Sequence, residues 1–406
     1  MKNKASHDAS LVAWLSLAQL ISWGSVFYTF SLVMTPLEQE LGLSRAQSSL
    51  AFSLALLVEG LMAYPVGRWI DAGHERMVMT CGSVLAGICL LLHSRVTDAA
   101  GFYAVWVGLG AAMAAILYSP VFAVVTRRFP DDFRRAIIVM TFLGGLASTV
   151  FIPFTAWLIA NWGWRQALVL LAGFHLLLCA PLHAWVLRGA PTRLARNGSC
   201  IVAATAEVPR LIRSAPFLLI GVFVILMMAV TAALPAHMVS LLRESGMSEA
   251  WVIGIPAGIG AIQVLGRLLL FFFERYFDLH LANRLIPCLL PLGLLALLVL
   301  PMTGAGQMAV LLFVLLYGLG NGMLTIVKGT AIAQYVNRDH VATLNGVLGL
   351  PLALARAGAP LMVGLLWTPV DGYTQALWLL LVMSLIGVGA LMLAQRCALT
   401  RPNAGV

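Results

Sequence analysis

Charge is what this 406-residue sequence has least of. Asp, Glu, Lys and Arg make up 10% of it, with 16 acids in all and three lysines, Lys2, Lys4 and Lys328. The hydrophobic share is 61% and the mean hydropathy is +0.94. A water-soluble domain of this size has no way to hide so much apolar surface. Cysteine is sparse and scattered. Cys81, Cys89, Cys179, Cys200, Cys288 and Cys397 form no CxxC pair, so neither a disulfide framework nor a metal site is implied, and they read as small packing residues. Phosphate loop, Walker lysine, nucleophile elbow and zinc motif are all missing. An enzyme, an ATP-driven pump and a bound cofactor are therefore not expected.

What is present is membrane-length apolar sequence. A bilayer crossing takes about 20 such residues. Twelve stretches qualify, centred near residues 23, 57, 85, 113, 148, 177, 228, 262, 293, 320, 355 and 384. The first, from Leu11 to Met34, is too long for a signal-peptide core and lacks a small-residue cleavage site, so it reads as a retained span. Connections are short except for residues 188–214, which hold five arginines with Pro191, Asn197 and Gly198. That composition predicts a polar linker between two six-helix bundles, 1–187 and 215–406, the second ending in a short tail.

The net charge of +9 invites a nucleic-acid reading, and its distribution argues against one. With the amino terminus placed inside, eighteen Lys and Arg fall in cytoplasmic segments. Four fall on the other face (Arg45, Arg95, Arg165 and Arg243), and three fall within spans. This is the positive-inside bias. It predicts cytoplasmic termini and a basic charge that sets topology.

The two halves repeat. Gly108-Leu109-Gly110 returns as Gly318-Leu319-Gly320, 210 positions on, and Gly163-Trp164-Arg165-Gln166-Ala167-Leu168 returns as Gly372-Tyr373-Thr374-Gln375-Ala376-Leu377, 209 positions on. Repeated halves around a central site are the build of an alternating-access carrier. A channel or membrane enzyme with twelve helices would not need the repeat.

Between the second and third stretches the sequence reads Gly67-Arg68-Trp69-Ile70-Asp71-Ala72-Gly73-His74-Glu75-Arg76. This resembles the signature loop of the major facilitator superfamily, one residue short and with Ala72 where a basic residue is usual. Glycine permits close helix approach, and Asp71 with Arg76 would make a breakable charge latch. The other reading is an ordinary solvated turn. The first half further resembles the monocarboxylate transporter and oxalate/formate antiporter branch. The resemblance rests on Tyr28-Thr29-Phe30-Ser31, Glu40-Leu41-Gly42-Leu43-Ser44-Arg45, Pro65-Val66-Gly67-Arg68, Gly144-Gly145, Pro153 and Gly163-Trp164-Arg165. It implies an all-α membrane protein with twelve transmembrane helices in two pseudo-symmetric six-helix bundles, the major facilitator fold. The first span departs from that branch, which often carries a lysine there; this one is uncharged.

Three cations lie inside apolar runs: Arg267, Lys328 and Arg356. A cation in hydrocarbon costs about 3 kcal/mol or more, so it persists where it faces a cavity, a partner or a substrate. Arg267 precedes six apolar residues, Leu268–Phe273, which put Glu274 roughly 10 Å beyond it. In the resembled branch an arginine of the eighth span holds the substrate carboxylate. Gln263, one turn away, stands where an aspartate is typical. Lys328 shares a helix face with Tyr317, Asn321 and Thr325, and the offset of 210 pairs it with Tyr118 across an expected cavity. Arg356 sits mid-span, and its guanidinium would grip a carboxylate with two parallel bonds. The alternatives are a structural or latch arginine at 267, a snorkelling lysine at 328 and a helix-end contact at 356. Glu59 is the one acid well inside a span. It reads either as a proton carrier or as a hydrogen-bonded structural acid. Gln19, Ser22, Trp23, Ser25 and Tyr28 are cavity-lining candidates or packing contacts. His93, His175, His183 and His237 lack metal spacing and read as satisfied interior histidines.

The expectation is a secondary carrier of a small organic anion, a mono- or dicarboxylate, in the bacterial cytoplasmic membrane. Substrate-binding candidates are Arg267, Arg356, Lys328, Tyr118, Asn321, Gln263 and Tyr28. Glu59 would couple protons unless the carrier exchanges anions, and Gly67, Asp71 and Arg76 would form the gating loop. The expected partners are the anion, protons and the lipid bilayer, with no nucleic acid and a monomeric state. The alternatives are an exporter of drugs, arsenicals or other toxic solutes, and an importer of a larger anion such as a flavin. A transport-dead sensor would be expected to carry an appended signalling domain.

Overall fold

The computed structural model describes residues 2–128, 133–189, 208–273, 279–299, 306–337 and 341–399. Most of the 188–214 linker expected from sequence lies outside them. The described residues are almost wholly helical, and eleven helical stretches among them are long and apolar enough to cross a membrane. We label them α1 (Ser10–Leu41), α2 (Arg45–Ile70), α3 (Glu75–His93), α4 (Ala99–Thr126), α7 (Ala215–Glu244), α8 (Glu249–Leu269), α9 (His280–Val299), α10 (Gly306–Tyr335), α11 (Leu344–Leu366) and α12 (Thr374–Leu399). The remaining stretch, Val139–Val186, is interrupted at Gly163, whose φ of 77° is open to glycine and strained for other residues. It divides into α5 (139–162) and α6 (164–186), giving the twelve spans the hydropathy predicts.

Local chemistry sets the boundaries. Gly42, at φ 65°, ends the helix of α1 in the left-handed conformation. Ser44 then opens α2 with a capping box: its hydroxyl accepts from the Gln47 N–H and its own N–H donates to Gln47 Oε1. Asp98 caps α4 by accepting from Gly101 N at 2.8 Å. Gly372, the repeat counterpart of Gly163, also has positive φ, 55°. Two spans contain a π-helical turn, Trp23–Tyr28 in α1 and Phe174–Cys179 in α6. Ser25 and His175, one from each turn, lie 2.7 Å apart and fully buried.

Contacts group the chain into two compact units. The first comprises Met1–Leu194, Pro235–Gly260 and Pro360–Leu365, so it takes in one end each of α7, α8 and α11. Its core holds Phe30 stacked on Phe52 at 4.7 Å, with Trp106 edge-on to both. The second comprises Ala195–Leu234, Ala261–Ala359 and Leu366–Val406.

Each unit has a glycine-mediated helix crossing of one geometry. A Cβ on Gly110 of α4 would lie 2.3 Å from Ala55 O of α2, and one on Gly322 of α10 would lie 2.2 Å from Gln263 O of α8. Backbones approach this closely only where the side chain is absent. These crossings set Gly110 against Gly322, 212 positions apart, two more than the motif offset. In that register Lys328 corresponds to Ile116, two residues before Tyr118.

Candidate functional site

In the second unit, α8 and α10 cross where Gly322 packs on Gln263, and Arg267 reaches the same point; Asn321 precedes Gly322 in α10. Arg267 is half-buried and its Nε donates to Gly322 O at 3.3 Å. The Thr325 hydroxyl donates to the same carbonyl at 3.0 Å. Arg267 lies near the end of α8, in a helix that runs on to Phe273, so apolar sequence continues past the charge. Glu274 falls outside the described residues.

Lys328 and Arg356 come together in the same unit, six residues beyond the Gly322 crossing for Lys328 and mid-span in α11 for Arg356. Both sit in the second unit, within electrostatic range of one another. Among the described residues the recorded hydrogen-bond partner of Lys328 Nζ is the thioether of Met228, Sδ at 3.5 Å. A thioether is a weak acceptor. Two partly buried cations repel each other unless an anion lies near.

In the first unit, the Tyr118 ring stacks on Phe122 at 5.1 Å and meets Trp23 at 5.0 Å. Tyr28 contacts Phe27 edge-on at 5.3 Å. Glu59 is half-buried in α2. The loop motif has a different emphasis from the one its residues suggest. A Cβ at Gly67 would meet nothing within 4 Å, so no helix approaches closely there; the positive φ falls on Gly73, at 93°. Arg76 is exposed, and the Asp71 side chain lies outside the described set. Among the described residues an ion pair at this end joins Glu75 and Arg128, 2.6 Å apart, with the Glu75 side chain fully buried. Arg128 Nη2 also donates to Leu187 O at 3.0 Å, tying the ends of α3, α4 and α6 together. The second unit ties α9, α10 and α12 with neutral groups: Asn283 Nδ2 donates to Tyr335 Oη at 3.0 Å, and Gln395 Nε2 does so at 3.0 Å.

A further polar set lies at the opposite ends of the helices, inside the first unit. Arg45 pairs with Glu38 at 3.0 Å and with Glu244, at the end of α7, at 3.2 Å. Ser48 donates to Glu38. Buried His237 of α7 bonds Pro360 O of α11 at 2.9 Å and lies 3.5 Å from Ser49 Oγ of α2. The Thr149 hydroxyl of α5 donates to Ala257 O of α8 at 2.7 Å. Sequence reasoning missed this set and the Glu75–Arg128 pair. In the sequence Arg45 stands out as a topology charge and as part of the Glu40–Arg45 resemblance, Arg128 as a topology charge, and no recognisable motif ties Arg45 to Glu38 or Glu244.

Comparison with known proteins places the fold. The sequence model of the Major Facilitator Superfamily matches residues 15–360. Monocarboxylate transporter 13 of Rattus norvegicus is 27% identical over 339 residues, covering 81% of this chain and 74% of that protein. The Bos taurus protein of the same name is 27% identical over 340 residues with the same coverage. Among solved structures, a bacterial homologue of the human lysosomal transporter Spinster, inward-facing and occupied, superposes with a TM-score of 0.76 at 16% identity, covering 98% of this chain and 99% of that one. The nucleoside transporter NupG does so at 0.68 and 15% identity, covering 96% and 99%. Twelve apolar spans, a recurring glycine crossing and a family match over most of the length lead to one assignment: the chain belongs to the major facilitator superfamily, as a multi-pass membrane transporter working by alternating access and not an enzyme.

Proposed function

We infer that the protein carries a small organic anion, a mono- or dicarboxylate, across the bacterial cytoplasmic membrane. The observation that carries this reading is Lys328, a part-buried ammonium whose hydrogen-bond acceptor among the described residues is a thioether, in the same unit as the intramembrane Arg356 and Arg267. A carboxylate there would relieve the repulsion and supply charge-assisted hydrogen bonds. Arg267, with Gln263 and Asn321 near the α8–α10 crossing, would extend the grip, and Tyr118 and Tyr28 of the first unit are further proposed substrate contacts. The two relatives named as monocarboxylate transporters support the same substrate class.

The excess of Lys and Arg in one set of loops supports cytoplasmic termini and a division into halves 1–187 and 215–406 joined by a cytoplasmic linker. In that orientation the Arg45–Glu244 and His237–Pro360 contacts close the outer ends of α1, α2, α7 and α11. They must part when the carrier opens outward. Glu59 would carry a proton in symport, and anion exchange would proceed without it.

The test is uptake into proteoliposomes from labelled formate, lactate, oxalate and succinate by the wild type, Arg267→Ala, Lys328→Ala and Arg356→Ala. Loss of uptake in the variants supports the anion site; equal uptake by all four proteins removes it. A Glu59→Gln variant that still accumulates solute under a pH gradient removes the proton-carrier role alone.

A further inference from the structure

The span α4 is broken. Its helix runs Ala99–Ile116, Leu117 turns to extended backbone (φ −80°, ψ −161°), and a second helix runs Tyr118–Arg128. Pro120 explains part of this. A helical carbonyl at residue 116 would accept from the N–H of residue 120, and proline has none. Ile116 is fully buried, so water does not supply the donor. Its counterpart α10 contains no proline and runs unbroken from Gly306 to Tyr335.

The missing donor is replaced from another helix. Gln19 of α1, itself fully buried, donates from Nε2 to Ile116 O at 2.6 Å. Because a carbonyl only accepts, the nitrogen of the amide must face it. On the same stretch of α1, Trp23 packs its ring against Tyr118, the first residue beyond the break. Measured from the glycine crossings, Ile116, whose carbonyl Gln19 holds, lies six residues past Gly110, as Lys328 lies six past Gly322.

We propose that Gln19 is a positioning residue: its side-chain amide stands in for the N–H that Pro120 lacks and holds the α4 break in the geometry that presents Tyr118. The proposal concerns how α4 is held; its link to transport rests on the anion-site reading above, in which Tyr118 takes part. The break is a joint in one half of a repeat whose other half has a rod, and Gln19 is the pin of that joint.

The experiment is a proline–glutamine cycle on the full-length protein in lipid nanodiscs, read first by hydrogen–deuterium exchange and without any substrate. Gln19→Leu should raise amide exchange at residues 117–122 at least tenfold while exchange in α9 and α12 stays unchanged. Pro120→Ala restores the backbone donor, so Gln19→Leu/Pro120→Ala should return that exchange to near the wild-type rate. A Gln19→Leu variant with unaltered exchange at 117–122 overturns the proposal, as does a double variant no better than the single. If the single variant does not accumulate in membranes, recovery of folded protein in the double variant supports the proposal and continued loss overturns it. Lactate uptake by the same variants is the second reading. Protection that follows the cycle while the wild type moves no carboxylate would leave Gln19 in its role and remove the anion-site reading.

Discussion

Arg45 lies 3.2 Å from Glu244 and 3.0 Å from Glu38, so one guanidinium joins the α1–α2 turn to the end of α7. Its two acids are not equivalent. The Glu38 side chain is 10% exposed and that of Glu244 is 34% exposed. Solvent screens the second contact, and a pair of that kind contributes about 0–1 kcal/mol. Glu244→Gln should therefore cost less than about 1 kcal/mol. Arg45→Ala strands Glu38 in a buried site and should cost about 3 kcal/mol. Thermal unfolding of the detergent-solubilised variants ranks them, and a larger loss for Glu244→Gln would contradict this account.

Lys328→Met keeps most of the side-chain volume and removes the charge. One charge-assisted hydrogen bond to a carboxylate contributes about 1.5–3 kcal/mol, so apparent affinity for the transported acid should fall roughly ten- to a hundredfold. Met228→Leu removes the thioether that now faces the ammonium and should leave affinity within about threefold. Concentration-dependent uptake measures both. Similar curves for the wild type and Lys328→Met would argue for a structural lysine.

Glu75 is fully buried against Arg128. Arg128→Ala leaves a carboxylate in the interior without its cation, at a cost of about 3–5 kcal/mol. Arg128→Met combined with Glu75→Leu should recover most of that loss. In the other half, Arg284→Ala removes one bond to Gln395 and should cost no more than about 3 kcal/mol. Unfolding midpoints of the three variants check the ordering.

Glycine substitutions should separate close packing from loop motif. Gly110→Ala and Gly322→Ala push a Cβ against backbone atoms at 2.3 and 2.2 Å, which forces the helices apart at a cost of about 1–3 kcal/mol or more. Gly67→Ala meets open space and should fold as well as the wild type. Yield and melting temperature of the three variants decide this, and a severe defect at Gly67 would restore the close-approach role its motif suggests.

The fold was legible because its signals are long. Twelve apolar stretches survive any ambiguity at their ends, and the positive φ at Gly163 and Gly372 matches a repeated motif visible by eye. The cations were legible because charge is rare in such sequence: Lys328 stands out among its neighbours. What stayed hidden depends on side chains meeting across large sequence distances. Gln19 and Ile116 are 97 positions apart, and Arg45 and Glu244 are 199 apart. No local pattern marks either pair. Register was the other gap: the crossing glycines Gly110 and Gly322 stand 212 positions apart, two more than the motif offset, and helix packing sets that pairing.

The π-helical turn at Trp23–Tyr28 has its own consequence for α1. Such a turn takes in one residue more than an α-turn, equivalent to about 100° of rotation. The stretch carrying Gln19 and the stretch carrying Glu38 are thus set in different angular phase along one continuous rod. Deleting a single residue from this turn would swing the Gln19 amide away from Ile116 with every neighbouring side chain intact, so spacing in α1 is as much a functional specification as sequence.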